Sequence, residues 1–277
     1  MIAIGVGGIP GYARLVRGEV PSLLERDYVA AARSLGAKHL RVISRFVGKT
    51  VIVTGAARGV GRALVHAFVD AGASGIVAAD LDQAGLAETC VNNAAVAPQQ
   101  AFLDYSVEVW DTVYAVNCRG TFLMTEAAGR AMIDGERKGR IVNFSSGSAK
   151  AGGAGAAAYA SSHAATEALG RVAAIALAPY DILVNTVSLG LIDTQPRPLP
   201  PRMKAALEQR IPMLTLARAG EPEEVANVVL FLASEFSSYV SGAVWEIDGA
   251  AGIGSHAPTE IVDDDVRYDW VTGATRG

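Results

Sequence analysis

Aromatic residues are scarce in this chain, at 6% of 277 residues, and there are only two cysteines, Cys90 and Cys118. Two cysteines exclude a disulfide-stapled scaffold and fit a reducing compartment. A surplus of positive charge is also lacking. The 24 Lys and Arg against 28 Asp and Glu leave a net charge of −4, so no basic patch invites nucleic acid. No apolar run approaches the ~18 residues of a membrane span, and the opening MIAIGVGGIPGYAR lacks the positive n-region of a signal peptide. These absences lead us to expect a cytoplasmic protein with neither a membrane nor a nucleic-acid partner. What abounds is small and apolar: hydrophobic residues make up 51% of the chain and glycines number 30. That suits a parallel sheet buried beneath small-residue helices, and the length suffices for one large α/β domain with appendages.

The chain is organised around Val51 to Gly61, VIVTGAARGVG. Val51, Ile52 and Val53 read as a strand that breaks at Thr54-Gly55. After Gly59 and Gly61, Ala63, Leu64, Ala67, Phe68 and Ala71 recur at helical spacing. Strand, glycine turn and helix make an anion site, because the first helical N–H groups lack intrahelical partners and the dipole favours negative charge. Glycine keeps side chains from holding phosphates off the backbone. Asp80 lies 19 residues beyond Gly61, at the end of the apolar run from Gly75 to Ala79. A carboxylate there can hold both hydroxyls of an adenosine ribose and repel a 2′-phosphate, which predicts NAD in preference to NADP.

Further along, Cys90-Val91-Asn92-Asn93-Ala94-Ala95 is a short apolar stub ending in amides that can fix strand ends. From Trp110 to Met124 the spacing reads as one long helix interrupted by Asn117, an unfavourable mid-helix residue able to hold a water or a backbone carbonyl. GRIVNF, Gly139 to Phe144, is a buried-strand pattern with Ser145-Ser146 at its end. A run rich in Gly and Ala follows, and a helix then opens at Tyr159. Tyr159 and His163 are four apart and share one helical face. In open parallel sheets ligands bind beyond the carboxyl ends of the strands, where Ser146 would lie.

These motifs resemble the short-chain dehydrogenase/reductase family over about residues 47 to 253. Thr54-Gly55-Ala56-Ala57-Arg58-Gly59-Val60-Gly61 matches its glycine turn, and Asn92-Asn93-Ala94-Ala95 its Asn-Asn-Ala-Gly with alanine last. Asn117 falls on the tetrad asparagine, and Ser146 and Tyr159 are spaced 13 apart like the serine–tyrosine pair. Ser188-Leu189-Gly190 stands where the family has a Pro-Gly turn, with Ile192 and Thr194 at the carboxamide contacts. Arg218 to Ala226 and Gly242 to Gly249 match the last third. The resemblance implies a doubly wound parallel sheet of Rossmann type, a homodimer or homotetramer through the two long helices, and no metal. It implies hydride transfer between nicotinamide and an alcohol or carbonyl substrate. Tyr159 would be the acid/base, Ser146 would hold the substrate oxygen and Asn117 would anchor a relay water. The cofactor would rest on Gly55, Arg58, Gly59, Val60, Gly61, Asp80, Leu81, Asn93, Ala94, Ala95, Tyr159, His163, Gly190, Ile192 and Thr194.

The chain departs from that pattern in two places. His163 stands where the family has a lysine that binds the nicotinamide ribose and lowers the tyrosine pKa. An unperturbed phenol, pKa ~10, is less than about 1% ionised at pH 7. A unit charge about 4 Å away at an effective dielectric of ~20 is worth roughly 4 kcal/mol, about three pKa units. An imidazole of pKa ~6.5 is mostly neutral at pH 7. The expectation is therefore impaired turnover, the alternative being a non-catalytic nucleotide-binding or interaction protein on the same scaffold. The second departure is a deletion, because only residues 81 to 91 separate Asp80 from Asn92. A single parallel crossover needs about a dozen residues. The usual third strand should be missing and the fourth reduced to Cys90-Val91 or less. This would leave no floor beneath the adenine and an unfilled slot beside the first strand. Either Leu40-Arg41-Val42-Ile43 fills that slot, or the sheet is left defective and the protein poorly stable.

Residues 1–46 are expected to form a helical appendage, with Ser22-Leu23-Leu24-Glu25 as a capping box and a stripe of Leu24, Tyr28, Ala31, Ala32 and Leu35. Residues 10–46 resemble the cytoplasmic coupling loop of ABC-transporter peptide permeases. Membrane helices flank that loop in a permease, so the reading is an amphipathic appendage rather than a transporter. Residues 47–254 would be the oxidoreductase domain, Pro196 to Arg210 a lid over the substrate pocket, and residues 255–277 a polar tail.

Overall fold

The computed structural model describes residues 46–78, 88–194, 201–253, 267–269 and 274–276. The expectations for residues 1–45, for Asp80 and Leu81, and for residues 195–200 and 254–266 lie outside them. The order is β1 (Thr50–Val53), α1 (Gly59–Asp70), β2 (Gly75–Ala78), β3 (Thr89–Asn92), α2 (Val107–Tyr114), α3 (Thr121–Asp134), β4 (Gly139–Ser146) and α4 (Ser148–Ala151). Then come α5 (Ala157–Leu177), β5 (Ile182–Leu189), α6 (Pro201–Arg210), α7 (Pro222–Ala233) and β6 (Val244–Ile247). Six strands make one parallel sheet in the order β2-β1-β3-β4-β5-β6. Residues 267–269 and 274–276 pair as a separate antiparallel ribbon, β7 and β8. No helix among the described residues is long and apolar enough to cross a membrane.

Alternation along the strands loads both faces of the sheet. Val51 and Val53 meet Leu64 and Phe68 of α1 and Val225, Val229 and Leu232 of α7 on one face. Ile52, Cys90, Ile141 and Val184 meet Met124, Ala128 and Met132 of α3 and Ala173 and Ala174 of α5 on the other. Each large side chain buried in this way contributes about 1.5–3 kcal/mol. Phe46 belongs to the first core: fully buried, it sets its ring edge-on against Phe68 with centroids 5.0 Å apart, and its N–H donates to the Ala71 carbonyl at 3.1 Å.

Two expectations about the deletion need correction. The strand before Asn93 is not a two-residue stub. It is β3, four residues long and paired with β1 on one side and β4 on the other. Thr89 and Asn92 extend it because both are buried and ladder-bonded despite being polar. Nor is there a slot beside the first strand, since β1 pairs with both β2 and β3. Among the described residues the shortening falls at the outer end of the sheet, where no strand lies beyond β2. The strand at the end of GRIVNF runs two residues further, through Ser146, and the Gly/Ala-rich stretch after it contains one short helix, α4.

Candidate active site

The glycine turn joins β1 to α1. The residue before α1, Arg58, is extended and its side chain makes no capping hydrogen bond to the helix. Gly55 adopts φ +65°, and a Cβ there would lie 2.9 Å from Asn93 Nδ2. At Gly61 a Cβ would lie 2.2 Å from the Gly55 carbonyl oxygen and 2.7 Å from Asn93 Nδ2, so only glycine lets the helix start this close to the turn. Asn93 fixes the loop by donating from Nδ2 to the Thr54 and Gly55 carbonyls at 3.0 and 3.3 Å. The Ala94 N–H donates to Thr54 Oγ1 at 3.0 Å, tying the segment after β3 to the segment after β1. Arg58 and Ala95 are exposed at this rim, and Val60 is buried beneath it.

The third wall follows β5. Gly190 donates its N–H to the Ile247 carbonyl at 3.0 Å and passes so near Asp248 that a Cβ would meet its Cα at 2.7 Å. Ile192 bridges to Gly220, and the Thr194 side chain lies over Gly59, 3.1 Å from where a Cβ would stand. The segments 54–61, 93–95 and 190–194 therefore meet at the carboxyl ends of β1, β3 and β5. A bare-backbone cradle ahead of a helix N-terminus fits a dinucleotide pyrophosphate.

Ser146 ends β4 beside Leu189, and its Oγ accepts from Ser148 N–H at 3.3 Å and Ser148 Oγ at 3.1 Å. Tyr159 lies in the first turn of α5, half-buried. Its ring stands edge-on to His163 with centroids 4.4 Å apart, as the spacing of four predicts. His163 is 3% exposed and neither ring nitrogen makes a hydrogen bond of full geometry. Burial pushes its pKa down to about 4, with the Phe144 backbone opposing in part. At pH 7 this imidazole is neutral.

Asn117 occupies a π-helical widening, Ala115–Gly120, between α2 and α3, so the predicted long helix runs on through one irregular turn. Its Nδ2 donates to the Val96 carbonyl at 3.0 Å and to Ser162 Oγ at 3.2 Å, and its Oδ1 accepts from Val96 N–H at 2.9 Å. Its own carbonyl accepts from Thr121 Oγ1 at 2.8 Å and Thr166 Oγ1 at 3.3 Å. Both amide hydrogens are thus committed to the Val96 carbonyl and the Ser162 hydroxyl.

A buried polar seam beneath the site escaped the sequence reading. Asn92 Nδ2 donates to Asn143 Oδ1 at 2.9 Å and Thr125 Oγ1 at 3.1 Å. Ser145 Oγ donates to Glu167 Oε1 at 2.8 Å. The one available signal was polar residues within otherwise apolar runs, Asn143 in GRIVNF above all.

A family model described as enoyl-(acyl carrier protein) reductase matches residues 75–251. The 3-oxoacyl-[acyl-carrier-protein] reductase of Aquifex aeolicus is 33% identical over 243 residues, 73% of this chain and 96% of that protein. The (3R)-3-hydroxyacyl-CoA dehydrogenase of Mus musculus is 40% identical over 160 residues, 57% of this chain and 61% of that protein. Among solved structures, one provisionally described as a 2-deoxy-D-gluconate 3-dehydrogenase of Agrobacterium tumefaciens, with bound NADP, superposes with a TM-score of 0.66. It is 27% identical and covers 76% of this chain and 98% of that one. The chain belongs to the short-chain dehydrogenase/reductase family, and its relatives are oxidoreductases.

Proposed function

We propose that the chain is an NAD-dependent oxidoreductase acting between an alcohol and its carbonyl, with turnover weakened by His163. The observation that carries this reading is the meeting of the glycine turn, Asn93–Ala95 and Gly190–Thr194 at the strand ends beside the helix of Tyr159. Gly55, Arg58, Gly59, Val60 and Gly61 would hold the pyrophosphate. Asp80 and Leu81 would hold the adenosine, with Asp80 favouring NAD over NADP. Gly190, Ile192 and Thr194 would meet the carboxamide, and Tyr159 and His163 the nearby ribose. When bound, the nicotinamide supplies or accepts the hydride. Ser146 holds the substrate oxygen towards Tyr159, whose hydroxyl exchanges the proton. Asn117, with its amide spent on Val96 and Ser162, keeps the two long helices in register.

The names of the relatives make 3-oxoacyl and 3-hydroxyacyl thioesters the first substrates to assay. Exposed Trp110, Phe122, Val172 and Ile175 on the long helices support a homodimer or homotetramer, and the low cysteine count supports a cytoplasmic setting. Residues 1–45 would be an appendage to a domain that, with Phe46 in its core, spans 46–254 rather than beginning at 47, and 255–277 would be a tail. The permease likeness of residues 10–46 brings no transport role.

Fluorescence titration with NADH and then NADPH, followed by thioester turnover, tests the reading. NADH should bind more tightly, and slow turnover should follow. Absence of binding by either nucleotide refutes it. The buried, neutral His163 favours a second reading, a nucleotide-binding protein without catalysis. Binding with no turnover, in wild type and in His163→Lys alike, would select it.

A further inference from the structure

Helix α5 carries Tyr159, and strand β4 ends in Ser146, so catalysis needs the helix held at a fixed height along the strand. Gly170 lets α5 approach β5 closely, since a Cβ there would meet Thr186 Oγ1 at 2.6 Å. Ser162 and Thr166 tie α5 to Asn117. The tie to β4 is different in kind. Ser145, the residue next to Ser146, donates its Oγ to Glu167 Oε1 at 2.8 Å and lies 3.5 Å from the His163 carbonyl. Ser145 is 4% exposed and Glu167 8% exposed. Glu167 stands two helical turns from Tyr159, with His163 between them.

A carboxylate that buried is a poor device for stability alone. An apolar side chain of similar volume commonly serves at least as well. Unlike an apolar contact, a hydrogen bond fixes register, because it weakens steeply with distance and angle. We infer that Ser145 and Glu167 are positioning residues: their buried hydrogen bond sets the height of α5 on β4 and so the spacing between Tyr159 and Ser146. The inference rests on the oxidoreductase reading for its catalytic meaning, but the geometry can be tested without turnover.

The test labels all eight tyrosines of the full chain with 3-fluorotyrosine, assigns the Tyr159 resonance with Tyr159→Phe, and compares Glu167→Leu, Glu167→Gln, Ser145→Ala and the Ser145→Ala/Glu167→Leu double variant. Glu167→Leu should melt no lower than wild type yet shift the Tyr159 resonance. Ser145→Ala should shift it likewise, and the double variant should go no further than either single change. Glu167→Gln, which keeps an acceptor oxygen, should stay near wild type. Where turnover is measured, kcat should fall at least tenfold in Glu167→Leu with KM for NADH unchanged. An unmoved Tyr159 resonance in both Glu167→Leu and Ser145→Ala overturns the inference, as does a double variant whose shift is the sum of the two. Failure of the oxidoreductase reading would be seen separately, as absence of NADH binding in wild type.

Discussion

His163 gives the sharpest test of the electrostatics at this site. In the unfolded chain its imidazole titrates near ~6.5, whereas burial in the folded chain lowers its pKa to about 4. A depressed cation pKa means that the unfolded state binds the proton first. The site therefore costs nothing above about pH 6.5, and stability is lost as the pH falls from there towards 4. At ~1.36 kcal/mol per pH unit, the loss is about 2 kcal/mol between pH 7 and pH 5 and about 3 kcal/mol by pH 4. Carboxylates titrate over the same range, so wild type alone is not decisive. His163→Phe keeps a ring against Tyr159 and removes the titration. Urea unfolding of both proteins at pH 7, 6, 5 and 4 gives a difference in which the other groups cancel. That difference should move against wild type by about 2 kcal/mol from pH 7 to pH 5. A difference independent of pH would mean that the folded protein charges His163 freely, and the argument that Tyr159 lacks a fixed cation would collapse. If the difference behaves as expected, roughly one molecule in a thousand carries the charge at pH 7.

Four further outcomes follow from the structure. His163→Lys restores a fixed cation and should raise NADH-dependent carbonyl reduction at least tenfold; brisk wild-type turnover left unchanged by the substitution would refute the assignment. Gly61→Ala drives a Cβ to 2.2 Å from the Gly55 oxygen and should weaken NADH binding at least tenfold. Gly152→Ala, at φ +72° and ψ −160° with nothing within 4 Å, should cost about 1–3 kcal/mol, because that backbone region is essentially restricted to glycine, and leave NADH affinity alone. Burial raises the Cys90 thiol to about 12 and leaves Cys118 half-buried with a milder rise. Mass spectrometry after iodoacetamide at pH 8 should find Cys118 modified first and Cys90 modified only in urea.

Two elements of the candidate site were more legible in the sequence than the sheet's wiring. The glycine turn and the face shared by Tyr159 and His163 are local patterns, and both are present in the structure. The place of the deletion was not legible, because strand order is not chain order. β1 sits inside the sheet with β3 as its neighbour, so losing a unit after β2 trims an end and opens no gap. Hydropathy alone makes β3 too short because Thr89 and Asn92 are polar; Thr89 is held by the backbone ladder, and the buried Asn92 amide is met by Thr125 and Asn143. The burial of His163 and the Ser145–Glu167 bond depend on how α5 lies across β4, and a separation of 22 positions along the chain gives no local sign of that contact.

A sheet grown outward in both directions from a central strand has arms that can be cut back independently. Among the described residues one arm ends at β2, while β4, β5 and β6 remain paired in sequence. The trimmed arm is the one that would grip the far end of a dinucleotide, and the intact arm is the one that would work on its reactive ring. Wear on such an architecture should therefore appear first as looser hold on the adenosine, with the reacting groups still in register.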